Sequence, residues 1–116
     1  MFWTADGKLF TSVREEDTWS TTQTLPMDAV DLRYGWTGVT SDGAVFVAGK
    51  RFASDRYELR LLLEKSGTWT DAGTLRESNE TLVIDPETAG LAVARGQLAV
   101  VRPAADGAVE FGMAPL

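Results

Sequence analysis

The 116 residues include no cysteine and no histidine. Without cysteine there are no disulfides, no thiolate nucleophile and no thiolate-held zinc. Without histidine the Ser-His-Asp and Cys-His arrangements fall away, as do imidazole-held metals, and with them most hydrolase templates. Positive charge is in the minority. Eleven Lys and Arg against 17 Asp and Glu leave a net charge of -6, which repels phosphate backbones and argues against nucleic-acid binding. The longest apolar runs, such as Ala44 to Ala48, fall far short of the roughly 20 residues of a membrane helix, so no membrane span is expected. Met1 to Phe10 carries Asp6, Gly7 and Lys8 rather than a basic stretch and an apolar run. No signal peptide is expected there, and a cytoplasmic setting is favoured. Asn79-Glu80-Thr81 fits the N-glycosylation acceptor pattern, which matters only in a secreted eukaryotic product.

What is present is an ordinary globular composition, 44% hydrophobic and 24% charged, over a length that suits one domain, residues 1–116. Within it the sequence repeats. A shift of 50 places Leu9 on Leu59, Val13 on Leu63, Thr18 on Thr68, Trp19 on Trp69, Thr24 on Thr74 and Leu25 on Leu75. A shift of 100 places Asp6-Gly7 on Asp106-Gly107, so that Leu9, Leu59 and Val109 share one position, Thr11, Leu61 and Phe111 the next, and Val13, Leu63 and Met113 the third. These are alternate residues, the period of a strand. A second block has a spacing of 53: Val30 on Val83, Val45 on Leu98 and Val47 on Val100. Periods of 20 to 50 residues signal repeat architectures. The units are residues 1–25, 26–75 and 76–116, one full and two partial.

Five X-Gly pairs separate apolar stretches: Asp6-Gly7, Asp42-Gly43, Ser66-Gly67, Arg95-Gly96 and Asp106-Gly107. Asp-Gly suits the type I′ turn, whose two central residues both need positive φ, so antiparallel hairpins follow. The expected strands are Met1–Ala5, Lys8–Arg14, Thr18–Gln23, Trp36–Ser41, Ala44–Gly49, Tyr57–Lys65, Thr68–Gly73, Gly90–Ala94, Gln97–Arg102 and Ala108–Met113, with shorter pieces near Ala29–Leu32 and Thr81–Ile84. Asp55 to Lys65 also reads as a helix, because Asp55 and Glu58 form a potential capping box and Leu59, Leu62 and Leu63 share a helical face. Register with Lys8–Arg14 favours the strand, which puts Tyr57, Leu59, Leu61 and Leu63 on one face.

The stretch Ser12-Val13-Arg14-Glu15-Glu16-Asp17-Thr18-Trp19 resembles the Asp-box of sialidases and related β-propellers, Ser-x-Asp-x-Gly-x-Thr-Trp, found between the last two strands of a blade. Ser12, Thr18 and Trp19 match; Arg14 and Glu16 stand where the pattern has Asp and Gly. The second copy, Leu62 to Trp69, keeps Thr68 and Trp69. The resemblance implies an all-β, antiparallel fold of propeller-like blades of three to four strands in tandem, with Trp19 and Trp69 buried between blades beside Leu9, Leu59 and Val109. A monomeric β-sandwich is the alternative. A propeller closes with four or more blades, so the chain is expected to be completed by copies of itself, a homo-oligomer, or by a second polypeptide.

Catalysis is not expected. The carboxylates Glu15, Glu16 and Asp17, and Glu77 with Glu80, could serve a glycosidase, but charged residues beside turns are usually only solvated. The Arg-Ile-Pro signature of sialidases does not occur. Asp28 and Asp31 are too few for a calcium loop, there is no phosphate-cradling glycine loop, and no cofactor or metal is expected. Recognition remains. Arg33-Tyr34-Gly35-Trp36 and the insertion Lys50 to Tyr57 combine aromatics and arginines in predicted loops, which makes Arg33, Tyr34, Trp36, Arg51, Phe52 and Arg56 the candidate ligand-binding residues. The competing assignment for Trp36 and Phe52 is core packing at strand ends, and Trp3 is a candidate for an intermolecular contact. Three functions follow in order: a non-enzymatic binding module recognising a glycan or a protein, a small acidic inhibitor or immunity-type protein facing a basic partner, and a non-catalytic subunit of a split glycosidase.

Overall fold

The structure, a computed structural model, describes residues 1–53, 56–77, 80–81, 83–84 and 89–115; Asp55 of the potential capping box and Asn79 of the glycosylation pattern lie outside them. Every element is a strand: β1 (Phe2–Ala5), β2 (Lys8–Thr11), β3 (Arg14–Glu15), β4 (Thr18–Trp19), β5 (Gln23–Asp28), β6 (Leu32–Val39), β7 (Ala44–Ala53), β8 (Arg56–Lys65), β9 (Thr68–Thr74), β10 (Arg76–Glu77), β11 (Glu80–Thr81), β12 (Val83–Ile84), β13 (Gly90–Ala94), β14 (Gln97–Pro103) and β15 (Val109–Pro115). The fold is all-β and antiparallel, and the helical option at Asp55–Lys65 gives way to β8.

Three sheets carry the core. The first runs β1-β2-β5 and the third β13-β14-β15. Between them lies β6-β7-β8, whose far edge is completed by β9 along most of β8 and by β12 at Tyr57 and Glu58. Two-stranded pieces β3-β4 and β10-β11 complete the set among the described residues.

Strand alternation gives the central sheet two apolar faces. Phe46, Ala48 and Leu62 point to the first sheet and meet Leu9, Leu25 and Met27, with Phe2, Leu32 and Trp69 packed alongside. Val45, Val47, Leu59 and Leu61 point the other way and meet Leu98 and Val100 of the third sheet. The molecule is thus layered three sheets deep, not two as a simple sandwich would be. Close approach of the layers requires small residues at crossing points. The β6 residue Gly38 lies so near the Val93 side chain that any Cβ there would collide with it. Each fully buried Leu or Val contributes about 1.5–3 kcal/mol through the water it leaves.

Two hairpins fifty residues apart share a pairing register. In the β3-β4 hairpin Arg14 pairs Trp19 and Glu15 pairs Thr18; in the β8-β9 hairpin Glu64 pairs Trp69 and Lys65 pairs Thr68. All four positions move by 50. Likewise β2 lies between β1 and β5 as β8 lies between β7 and β9. The 53-residue block is not an equivalence. An odd shift exchanges faces, and Val45 and Val47 meet Leu98 and Val100 across the interface between two sheets.

Two residues assigned to the repeat core are exposed. Trp19 is 48% exposed and Val109 71%, whereas Leu9 and Leu59 are 1% and 0% exposed and Trp69 is half-buried. The cause is position in the stack. The third-sheet residues Leu98 and Val100 face inward, Gly112 pairs with Val100, and so Phe111 and Met113 on either side of Gly112 face outward with Val109.

Turn chemistry explains most boundaries. Asp6-Gly7, Ser66-Gly67 and Arg95-Gly96 all have positive φ at both residues, the type I′ signature. Asp42-Gly43 and Asp106-Gly107 do not, because only their glycines have positive φ. At the latter, Gly107 N donates to the Ala104 carbonyl and Ala108 N to Asp106 Oδ1, a longer loop.

Candidate functional site

The two segments expected as loops are mostly strand. Arg33-Tyr34-Gly35-Trp36 lies within β6, and the insertion is used to extend β7 to Ala53 and to start β8 at Arg56. The ladder between these strands continues through Arg51↔Tyr57 and Ala53↔Arg56 after a bulge, so the extra residues lengthen a hairpin instead of forming an irregular loop.

This lengthened hairpin makes one rim of the central sheet. A bulge between Leu32 and Tyr34 sends Leu32 to the first sheet and Tyr34 to the opposite face, beside Trp36. Tyr34 and Trp36 stack with ring centroids 6.1 Å apart, and Tyr57 meets Tyr34 edge-on at 5.1 Å. Gly49 forms the floor: a Cβ there would stand 3.1 Å from Trp36 Cζ3 and 3.2 Å from Tyr34 Cβ. Trp36 also packs against the core shared with the third sheet, so its packing role is real. Tyr34 is partly open to solvent.

The arginines divide. Arg51 is paired with Tyr57 in the ladder and exposed beside the aromatic cluster. Its backbone N–H donates to the Asp31 carbonyl at 2.9 Å, which ties the rim to the β5–β6 connection. Arg33 reaches Asp31 at 3.7 Å and donates to the Leu32 carbonyl, so it braces that connection. Phe52 and Arg56 are exposed at the hairpin tip, and the core-packing alternative for Phe52 does not hold. The structure therefore brings Tyr34, Trp36 and Tyr57 into ring contact with Arg51 paired to Tyr57 in the ladder, while Arg33 is held at Asp31 and Phe52 and Arg56 stand exposed in the hairpin. Tyr57 is legible in the sequence as the last residue of the Lys50 to Tyr57 insertion and as the first member of the alternating Tyr57, Leu59, Leu61, Leu63 face.

Beneath the rim, Lys50 Nζ lies 2.9 Å from Asp28 Oδ1 and joins the central sheet to the first. The Lys50 ammonium, with the Val30 amide, holds the Asp28 carboxyl below its usual range. Nearby in β8 and β9, Arg60 reaches Asp71 at 2.7 Å. Partial burial pushes the Asp71 carboxyl up, but the Arg60 and Gly73 hydrogen bonds outweigh it and the net direction is down. These pairs fix the geometry of the scaffold.

The opposite rim gathers different groups. A cavity of about 210 Å³ lies among Thr40, Ser41, Asp42, Leu63, Glu64, Lys65 and Gly96. Here Glu64 accepts from Gly67 N at 2.6 Å and from Ala44 N at 3.0 Å, clamping two hairpin turns together. Glu64 occupies the acidic position of the turn pattern in the second copy, a match that reading only Thr68 and Trp69 misses. In the first copy Arg14 stands there and bonds the Glu16 carbonyl and Asp17 instead, while Ser12 Oγ donates to the Ser20 carbonyl at 2.8 Å. Among the described residues no three acidic side chains gather as a cation site.

No family model matches the chain, and no curated protein or solved structure matches it either.

Proposed function

We propose that this chain is a non-enzymatic binding module whose three layered sheets are consecutive propeller-type blades, and that it recognises a glycan or a protein at the rim formed by Tyr34, Trp36, Tyr57 and Arg51. The observation that carries this reading is Tyr34 and Trp36 laid over Gly49, with Tyr57 edge-on to Tyr34 and the exposed Arg51 paired with Tyr57. Aromatic faces held rigidly next to a guanidinium suit stacking on a sugar ring with hydrogen bonds to its hydroxyls, and equally suit a protein hot spot. Rigid placement matters because immobilising side chains on binding costs about 0.5–1.5 kcal/mol each, and a packed trio has already lost that freedom. Support for blades comes from the shared hairpin register at a spacing of 50 and from sheets stacked face to face.

A glycan array and an affinity pull-down with the full chain test the reading. Binding that falls at least tenfold in Tyr34→Ala and Arg51→Ala, with unchanged melting behaviour, is the expected result. A ligand retained at full affinity by both variants, or no ligand in either screen, overturns it.

A further inference from the structure

We infer that the outer face of the third sheet docks onto the outer face of the first sheet of a second copy of this chain, head to tail. The inference shares the blade reading given above but is independent of any ligand.

In β2 the residues Leu9 and Thr11 face the next sheet in sequence and are buried against it. Fifty residues later in β8, Leu59 and Leu61 face their own next sheet and are buried in turn. Another fifty residues on, Val109 and Phe111 in β15 occupy the same positions and face the same way, yet they are 71% and 64% exposed, because no sheet among the described residues lies against them. Met113 and Val101 lie open on the same face. No charged residue stands among the outward positions of this sheet: Ala92, Ala94, Gln97, Ala99, Val101, Val109, Phe111 and Met113. Burial of such a face is worth about 25 cal/mol per Å², and contiguous apolar patches of this kind on a small protein mark contact sites.

The partner face is on the same chain. Phe2 and Leu9 point inward, so Trp3 and Phe10, which are paired with Phe2's and Leu9's neighbours in the ladder, point outward and stack at 5.8 Å. In the second unit the corresponding backward face carries Phe46, Leu62 and Trp69 and is covered by the first sheet. One chain therefore displays both halves of an interface that it already forms twice internally, the forward half at its third sheet and the backward half at its first. Only a unit of this same repeat offers both, which is why a second copy is the occupant. Such a contact joins different patches and so generates a ring or an open chain. Two copies bring six core sheets, three from each, within the four to eight blades of closed rings.

Native mass spectrometry of the full chain, at concentrations from about 0.1 to 100 μM, tests this together with Phe111→Glu and Trp3→Glu. Both substituted residues lie on outer faces, and the circular dichroism and melting of each variant report whether it folds; Met113→Glu replaces Phe111→Glu if it does not, and Phe10→Glu replaces Trp3→Glu. The expected result is a wild-type dimer, two monomeric variants, and a 1:1 mixture of the variants that forms a heterodimer through the one intact pair of faces. A wild-type monomer throughout overturns the inference. So does a dimer that survives Trp3→Glu alone, since that identifies pairing of like faces, and so does a mixture that stays monomeric.

Discussion

The hairpins Arg14–Trp19 and Glu64–Trp69 pair in one register, though only Glu16 has positive φ in the first turn and both Ser66 and Gly67 have it in the second, and they end in opposite surroundings. Trp69 packs edge-on against Phe2 at 5.7 Å within the core between the first two sheets, while Trp19 stands largely in solvent. The same contrast separates Leu59 from Val109. Local sequence decides the hairpin and the direction of each side chain; whether a side chain is buried depends on whether another sheet lies against that face.

The largest expected effect comes from the covered faces. Leu59→Ala and Leu62→Ala leave cavities on the two sides of the central sheet and are expected to cost about 2–5 kcal/mol each in denaturant unfolding. The equivalent Val109→Ala is expected to change the monomer by less than about 0.5 kcal/mol. Gly38→Ala tests the layering from the other direction. Its new methyl meets Val93, and overpacking of about 1–3 kcal/mol is expected, whereas Gly112→Ala, with open space around it, is expected to show no comparable loss.

Smaller effects sharpen the contrast between hairpins. Glu64→Ala frees two turn amides, and a loss of about 1–2 kcal/mol is expected, against little change for Arg14→Ala in the exposed copy. The smallest effect is that of the Arg60–Asp71 pair, about 0–1 kcal/mol because it is partly exposed. Its sign follows from linkage. The Asp71 carboxyl is held below its usual range in the folded chain, so its contribution is complete above the ordinary aspartate range and disappears as the pH falls through the folded value. Melting temperature measured from pH 6 to pH 2 is expected to fall less steeply in Asp71→Asn than in the parent.

Much of this was legible from residues alone. Alternation over Leu9, Thr11 and Leu59, Leu61, and the turn chemistry of Asp6-Gly7 and Ser66-Gly67, are short-range properties that mark hairpins and side-chain directions, whereas the expected strands Lys8–Arg14 and Thr18–Gln23 are broken after Thr11 and after Trp19, and β5 runs on to Asp28 where no strand is expected. Trp19 and Val109 are exposed where the matched positions point to burial, because a matched position implies burial only when a neighbouring layer covers it. The spacing of 53 joins residues in contact across facing sheets; such contacts and equivalent positions both join Val and Leu residues, and only the parity of the shift separates them. At the candidate rim, the mixture of Arg and aromatics marked the right segments. Their conformation is not legible there because bulges at Leu32/Tyr34 and Arg51/Ala53 let strands absorb residues that resemble a loop.

The absence of cysteine provides the most direct measurement, since any introduced thiol is unique. Leu9→Cys, Leu59→Cys and Val109→Cys place it at one repeat position in three successive sheets, and labelling by a small thiol reagent in dilute solution reads the exposure of each. The expected result is immediate reaction at position 109 and protection at 9 and 59 that only unfolding removes. Equal reactivity at all three positions, or protection at 109 in the monomer, would contradict the ordering of covered and open faces.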